Sequence, residues 1–211
     1  MYLFSRTITM RGNQRETMAY AREMCELVNE RSSFDVSLWQ VLFGAPVGTV
    51  SYSMLVESRA AFVAGQAALL GDDEYLDAIE RGQAFVDQPP QDRLVAMVHH
   101  AGGELRRADV GSAATIVAAQ AEVDRIADTL SWSVGVADLV AAITGYPIHL
   151  GTLEHGPFGE LQWTSTAPDI GEVDRVSDLL AKDEDYLRHM GDSKGLFVPA
   201  SGRQLLGLRI A

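Results

Sequence analysis

Five histidines and three tryptophans are the residues of this 211-residue chain with the most chemistry to offer. Histidine is the acid/base group that titrates near neutral pH and the commonest metal ligand. His99 and His100 adjoin on a segment, 93–100, that reads as a strand. Successive strand side chains point to opposite faces, so the two cannot share a metal. His149 and His155 fall on one face of a second strand, 148–155, about 20 Å apart at ~3.3 Å per residue. A shared metal, with bonds to nitrogen of about 2 Å, is excluded there too. His189 sits on a helix with no His or Cys one turn away. Local spacing therefore predicts no metal site, and only ligands assembled across strands would make one. His99 and His100 are the candidate catalytic acid/base groups, because whichever turns toward the helices lines the interior of its half.

Trp39, Tyr52 and Trp163 lie on strands that pair as hairpins, and Trp132 on a long helix. Their rings offer flat apolar contact with a polar edge, equally suited to a ligand wall or to core packing. Trp39, Tyr52, Trp163 and His149 form the candidate ligand-binding set. Cys25 sits in the apolar stripe of its helix and reads as a core thiol. A reactive one would need a base or cation beside it, and the sequence offers none. The acidic runs Asp72-Asp73-Glu74 and Asp183-Glu184-Asp185 each precede an apolar helical segment, where carboxylates cap free N–H groups. No phosphate-cradling loop, dinucleotide fingerprint or nucleophile elbow occurs.

The net charge is −12, and the densest basic cluster is Arg106-Arg107. Nucleic acid, which demands a basic footprint, is not an expected partner. An anionic membrane surface is disfavoured on the same ground, and the apolar stretch 134–143, interrupted by Asp138, reads as too short to span a bilayer. With one cysteine no internal disulfide can form, and residues 1–10 lack a secretory pattern. A cytoplasmic location is the expectation.

The elements that must position these residues follow from periodicity. Strand 2–10 precedes a helix over 16–30, where Met18, Ala21, Cys25 and Val28 share a face. Segments 35–43 and 49–56 form a hairpin about the turn 44–48, Ser58 caps a helix, a second helical piece covers 75–85, and 93–100 closes the unit. This is the βαββαβ order of a ferredoxin-like fold. After a polar linker, 102–111, the order recurs: strand 113–119, helix 122–143, hairpin 148–155 with 160–166, a helical region capped by Asp169, and strand 204–210. The sequence recurs with it. Gly44-Ala45-Pro46-Val47-Gly48 matches Gly156-Pro157-Phe158-Gly159, Leu69–Leu76 matches Leu179–Leu187, and Phe85-Val86 matches Phe197-Val198, at offsets of 110 to 112 residues. Near-constant spacing reads as duplication of one half. The expected fold is α+β, with repeats at 1–102 and 103–211. Strand 35–43 is apolar on both sides, so the helix-free face of each sheet needs cover, which the other sheet supplies by closing a barrel.

The tandem halves, the paired Gly-containing hairpins and the Leu-Leu…Asp-Glu-x-Tyr-Leu element resemble the dimeric α/β-barrel superfamily, in a fused single-chain form. That group includes cofactor-free antibiotic-biosynthesis monooxygenases, EthD-type and stress-responsive barrel proteins, muconolactone isomerases and haem-binding chlorite-dismutase-like proteins. The resemblance implies a small-ligand cavity between sheet and helices, where the aromatics would suit a flat apolar molecule. It implies a cofactor-free monooxygenase- or isomerase-like enzyme, with two alternatives: a non-catalytic ligand-binding or scaffold protein, and a haem protein with a histidine ligand. No tightly bound cofactor is expected on the first reading, and a further homo-oligomer is compatible with it. Several oxygenases of the group use an Asn on the first strand. Strands 2–10 and 113–119 have none, so no catalytic residue is carried over. Trp39 aligns with Gly151 and Ser37 with His149, so the two cavities should differ.

Overall fold

Alternation along the strands sorts the chain into an inside and an outside. The computed structural model describes all 211 residues, Met1–Ala211. Along β1 (Tyr2–Thr9), Leu3, Ser5, Thr7 and Thr9 face one way, while Phe4, Arg6 and Ile8 face helices. There follow α1 (Gln14–Arg31), the hairpin β2 (Ser37–Phe43) and β3 (Thr49–Val56), α2 (Arg59–Leu70), α3 (Asp73–Gly82) and β4 (Gln91–Ala101). The second half runs β5 (Ala113–Gln120), α4 (Ile126–Thr144), β6 (Ile148–Leu153), β7 (Glu160–Ala167), α5 (Ile170–Leu180), α6 (Glu184–Gly191) and β8 (Arg203–Arg209).

The eight strands close into one antiparallel barrel in the order β1-β3-β2-β8-β5-β7-β6-β4. Two seams join the halves, β2 with β8 and β4 with β6. This is the expected α+β barrel, a fused dimeric α/β barrel in one chain, with the helices outside. Strand direction alternates around the ring, so the hairpin turns at 44–48 and 154–159 emerge at the same end. Register repeats between the halves: Tyr52 lies opposite Arg6, and Trp163 opposite Val117. One correspondence shifts by a residue. Val86 bridges Met10 as Phe197 bridges Ala121, so Val86 rather than Phe85 holds the place of Phe197.

Caps fix the helix starts. Asn13, Ser58, Asp72, Asp169 and Asp183 each accept a backbone N–H with the side chain, so both acidic runs serve as caps. The first-half core is built from large side chains, among them Phe4, Met24, Phe34, Leu38, Met54 and Leu69. In the second half α4 turns Thr129, Ser133 and Ala137 inward, fully buried, and Trp163 fills the space beside them with its indole N–H on Ser133 O at 3.2 Å. The apolar stretch here is longer than expected. Val123–Thr144 spans 22 residues and contains an 18-residue window of mean hydropathy 1.4, so it is long and apolar enough to cross a membrane by length and composition alone. In this structure it packs on β6, α5 and α6. β6 ends at Leu153, so His155 lies in the turn and not on the strand face expected for it.

The hairpin turn is a test of the barrel. Gly44 has φ +87°, and a Cβ there would meet Gln204 O of β8 at 1.9 Å. Gly48 has φ +88°, with Met10 O at 2.7 Å from the same construction. Gly44→Ala and Gly48→Val should each cost about 1–3 kcal/mol in a denaturant melt. Gly44→Ala should be the worse, since it also pushes β8 from the seam. Wild-type midpoints for both would refute this placement of the turn.

Candidate functional site

Each half holds a cavity between its sheet and its helices. The first, about 540 Å³, is floored by Phe4, Arg6, Ile8, Tyr52 and Met54, and walled by Tyr20 and Met24 of α1, Leu69 of α2 and Tyr75 of α3. Arg6 is its only cation. Its guanidinium forms a bidentate pair with Asp92, Nε to Oδ1 and Nη2 to Oδ2, both at 2.7 Å. Asp92, with a smaller effect from Tyr75, raises the Arg6 pKa further, so its charge is permanent. Tyr52 donates its hydroxyl to Ala21 O (3.1 Å) and Tyr20 donates to Ala78 O (2.9 Å). Burial pushes the Tyr52 phenol up, and the Tyr20 phenol up to about 12. Both stay protonated at neutral pH and are committed donors, so neither serves as a general base. The chamber can hold a flat apolar body, and although Asp92 balances the Arg6 charge it leaves the guanidinium Nη1 as a hydrogen-bond donor for an oxygen on that body.

The second cavity, about 510 Å³, has no charged residue and no histidine in its wall. Trp132 and Trp163 meet edge to face with centroids 6.3 Å apart, and Phe197 packs on both. Behind them His189 stacks on Trp132 at 5.4 Å. The Trp132 indole donates to His189 O (2.9 Å), and His189 Nε2 bonds Trp132 O (3.2 Å), which fastens α6 to α4. Val117 stands where the first half has Arg6, by the register above. The divergence expected between the two cavities is present, in charge as well as in shape.

A third chamber, about 360 Å³, is the barrel lumen, and Trp39 lies there with its indole N–H on Ser53 Oγ at 2.8 Å. The sequence-derived ligand set is thus divided: Tyr52 in the first cavity, Trp163 in the second, Trp39 in the lumen. His149 is buried on the β4–β6 seam, Nδ1 to Nδ1 with His100 at 3.0 Å. His99 does turn to the helix side but meets Asp138 of α4 (Nε2 to Oδ1, 2.7 Å) at the surface. None of the five histidines lines any of the three chambers. The expectation that His99 or His100 would line an interior is corrected accordingly. No group of three or more His, Cys, Asp or Glu side chains is placed to hold a metal. Cys25 is buried, with its thiol on Val36 O, and burial raises its pKa, as suits a core thiol. What sequence reading missed was Arg6. The signal was there, a lone cation in the row Phe4, Arg6, Ile8 that otherwise faces helices.

No family model matches the sequence, and no curated protein matches it either. Solved structures do resemble it. A candidate monooxygenase of Fusobacterium nucleatum subsp. nucleatum superposes with TM-score 0.74 at 7% identity, covering 100% of this chain and 92% of that one. An anthrone oxidase-like protein gives 0.67 at 9%, covering 100% and 91%. A chlorite dismutase of Candidatus Nitrospira defluvii gives 0.57 at 10%, covering 100% and 91%. At such identities the likeness is one of fold: these are α+β proteins with the same closed barrel.

Proposed function

We propose that the chain is a monooxygenase-like enzyme that takes a flat, largely apolar molecule carrying a phenolic or enolic oxygen into the first-half cavity. The observation that carries this is Arg6, the only cation in a largely apolar chamber that also holds three tyrosine rings and has Asp87 in its wall. The names of two fold neighbours, a candidate monooxygenase and an anthrone oxidase-like protein, support the reaction class. In this reading Arg6 holds the substrate oxygen as an anion, and the electron-rich anion is the form that dioxygen attacks. For an anthrone-type substrate, the ring CH₂ takes one oxygen atom to become a carbonyl, and the other leaves as water with the two hydrogens. The same reading takes residues 1–102 and 103–211 as duplicated units of which only the first kept a charged site.

A haem reading fits poorly. No histidine reaches a chamber, the Tyr20 and Tyr52 hydroxyls are donors to backbone carbonyls, and the Tyr75 hydroxyl is engaged with the Arg6 guanidinium.

Paired ligands test the proposal. 1-Naphthol should stabilise the protein against heat more than naphthalene does, and Arg6→Gln should weaken 1-naphthol about 10- to 100-fold while leaving naphthalene unchanged. Oxygen consumption with anthrone should fall with the same variant. If 1-naphthol and naphthalene bind alike, or Arg6→Gln changes neither, the site is misassigned.

A further inference from the structure

We propose that the barrel lumen is a second binding site, for a phosphate or carboxylate group on a small polar molecule. It lies on the other face of the sheet from the two sheet–helix cavities, and a smaller share of its wall is hydrophobic. The inward rows of β1 and β3 are hydroxyl ladders: Thr9 meets Thr49 at 3.1 Å and Thr7 meets Ser51 at 3.4 Å. Thr49 gives its hydrogen to Pro46 O (2.6 Å) and accepts from Thr9, so that pair is satisfied, whereas Thr7 and Ser51 use one hydrogen between them and leave the other to donate inward.

Charge decides the ligand. At the hairpin end of the lumen Glu160 is 5% exposed, and its Oε1 accepts from both Arg93 of β4 and Arg203 of β8. Arg93 also reaches Gln162 Oε1 (3.3 Å). Two guanidinium groups thus share one carboxylate. At the opposite end Arg106 and Arg107 also line the lumen, but each has its own carboxylate, Glu104 at 3.3 Å and Asp35 at 2.6 Å. The hairpin end therefore keeps one uncompensated positive charge, within low-dielectric walls, in a protein whose net charge is −12. A purely structural ion pair needs one arginine for its glutamate. The second, with a free hydroxyl donor beside it, fits an oxyanion, for which guanidinium is matched in shape. Ala45, Pro46, Gln88 and Pro89 line the same chamber and give it a mouth at this end.

The test is calorimetric titration and thermal melting with inorganic phosphate and, in a parallel arm, succinate, against chloride at matched ionic strength. Phosphate or succinate should raise the melting temperature beyond chloride, and whichever binds tighter identifies the group. Arg203→Gln should weaken binding at least tenfold. Glu160→Gln removes the competing carboxylate and should tighten it at least tenfold. Should that variant not fold in chloride, folding restored by the anion supports the site, and Arg203→Gln decides it alone. No stabilisation beyond chloride by either anion, or an Arg203→Gln protein that binds as wild type, overturns the proposal. Neither result touches the 1-naphthol experiment.

Discussion

Glu160→Gln should lower the melting temperature in chloride buffer by roughly 6–12 °C, the largest loss expected from any single polar substitution in this chain. The carboxylate is buried and receives Arg93 from the first half and Arg203 from the second. An amide of the same shape still accepts a hydrogen bond but no longer balances the guanidinium charges. Removing one partner of a buried ion pair costs about 3–5 kcal/mol, because the other charges stay buried and unpaired. Arg203 is nearly half exposed and recovers some hydration, so the lower end, about 3 kcal/mol, is expected. For a domain of this size each kcal/mol is about 2–4 °C. Glu172→Gln is the control. Glu172 also bonds an arginine, Arg175, but at the surface, and an exposed pair of this kind is worth little. Equal melting temperatures for the two variants would mean that Glu160 is solvated and that the seam is held by its strand pairing alone.

How far the sequence carries toward this structure depends on the range of the contacts. The caps were legible because each is made within three residues, as Asp72 shows with its bond to Tyr75 N–H. Barrel closure was legible because β2 is apolar on both faces and a sheet with one helical layer leaves one face bare. Register between the halves was not. His100 and His149 meet only because β4 and β6, strands of different halves, pair with a bulge between Met97 and His99. One extra residue reverses the faces of everything after it. Without it His99 would point to the lumen side and His100 to α4. Nothing local in Met97-Val98-His99 announces the bulge. The aromatic set divided for a similar reason. Trp39 and Tyr52 belong to paired strands but to opposite faces, and Trp39 pairs with Ser51, which faces the lumen. Arg6 was legible in principle, since a charge in an apolar row breaks the pattern, but the row is recognisable only once its helix-facing side is assigned.

The same seam makes stability depend on pH. One Nδ1 of the His100–His149 pair must carry the hydrogen and the other the lone pair. Neutral His149 accepts from His100 at Nδ1. A proton on His149 fills that lone pair and sets two N–H groups against each other. Burial first, then the His100 charge, lowers the His149 pKa from 6.5 to about 4. The unfolded chain therefore takes up a proton near pH 6.5 that the folded chain refuses until about pH 4. The stabilisation is complete above pH 6.5 and is lost as pH falls through that window. By linkage the loss is about 2 kcal/mol at pH 5 and up to about 3 kcal/mol at pH 4. Melting curves from pH 7.5 to 5 should fall by roughly 4–8 °C in the wild type from this group. Carboxylates and the other histidines add their own slopes, so the comparison that isolates it is His149→Gln, which cannot take up the proton and should flatten the curve by that amount. It should also melt lower than the wild type at pH 7.5, where the imidazole pair is intact, and the two curves should converge toward pH 5. Parallel curves would place the His149 ring in water, and the seam would then owe nothing to the histidine pair.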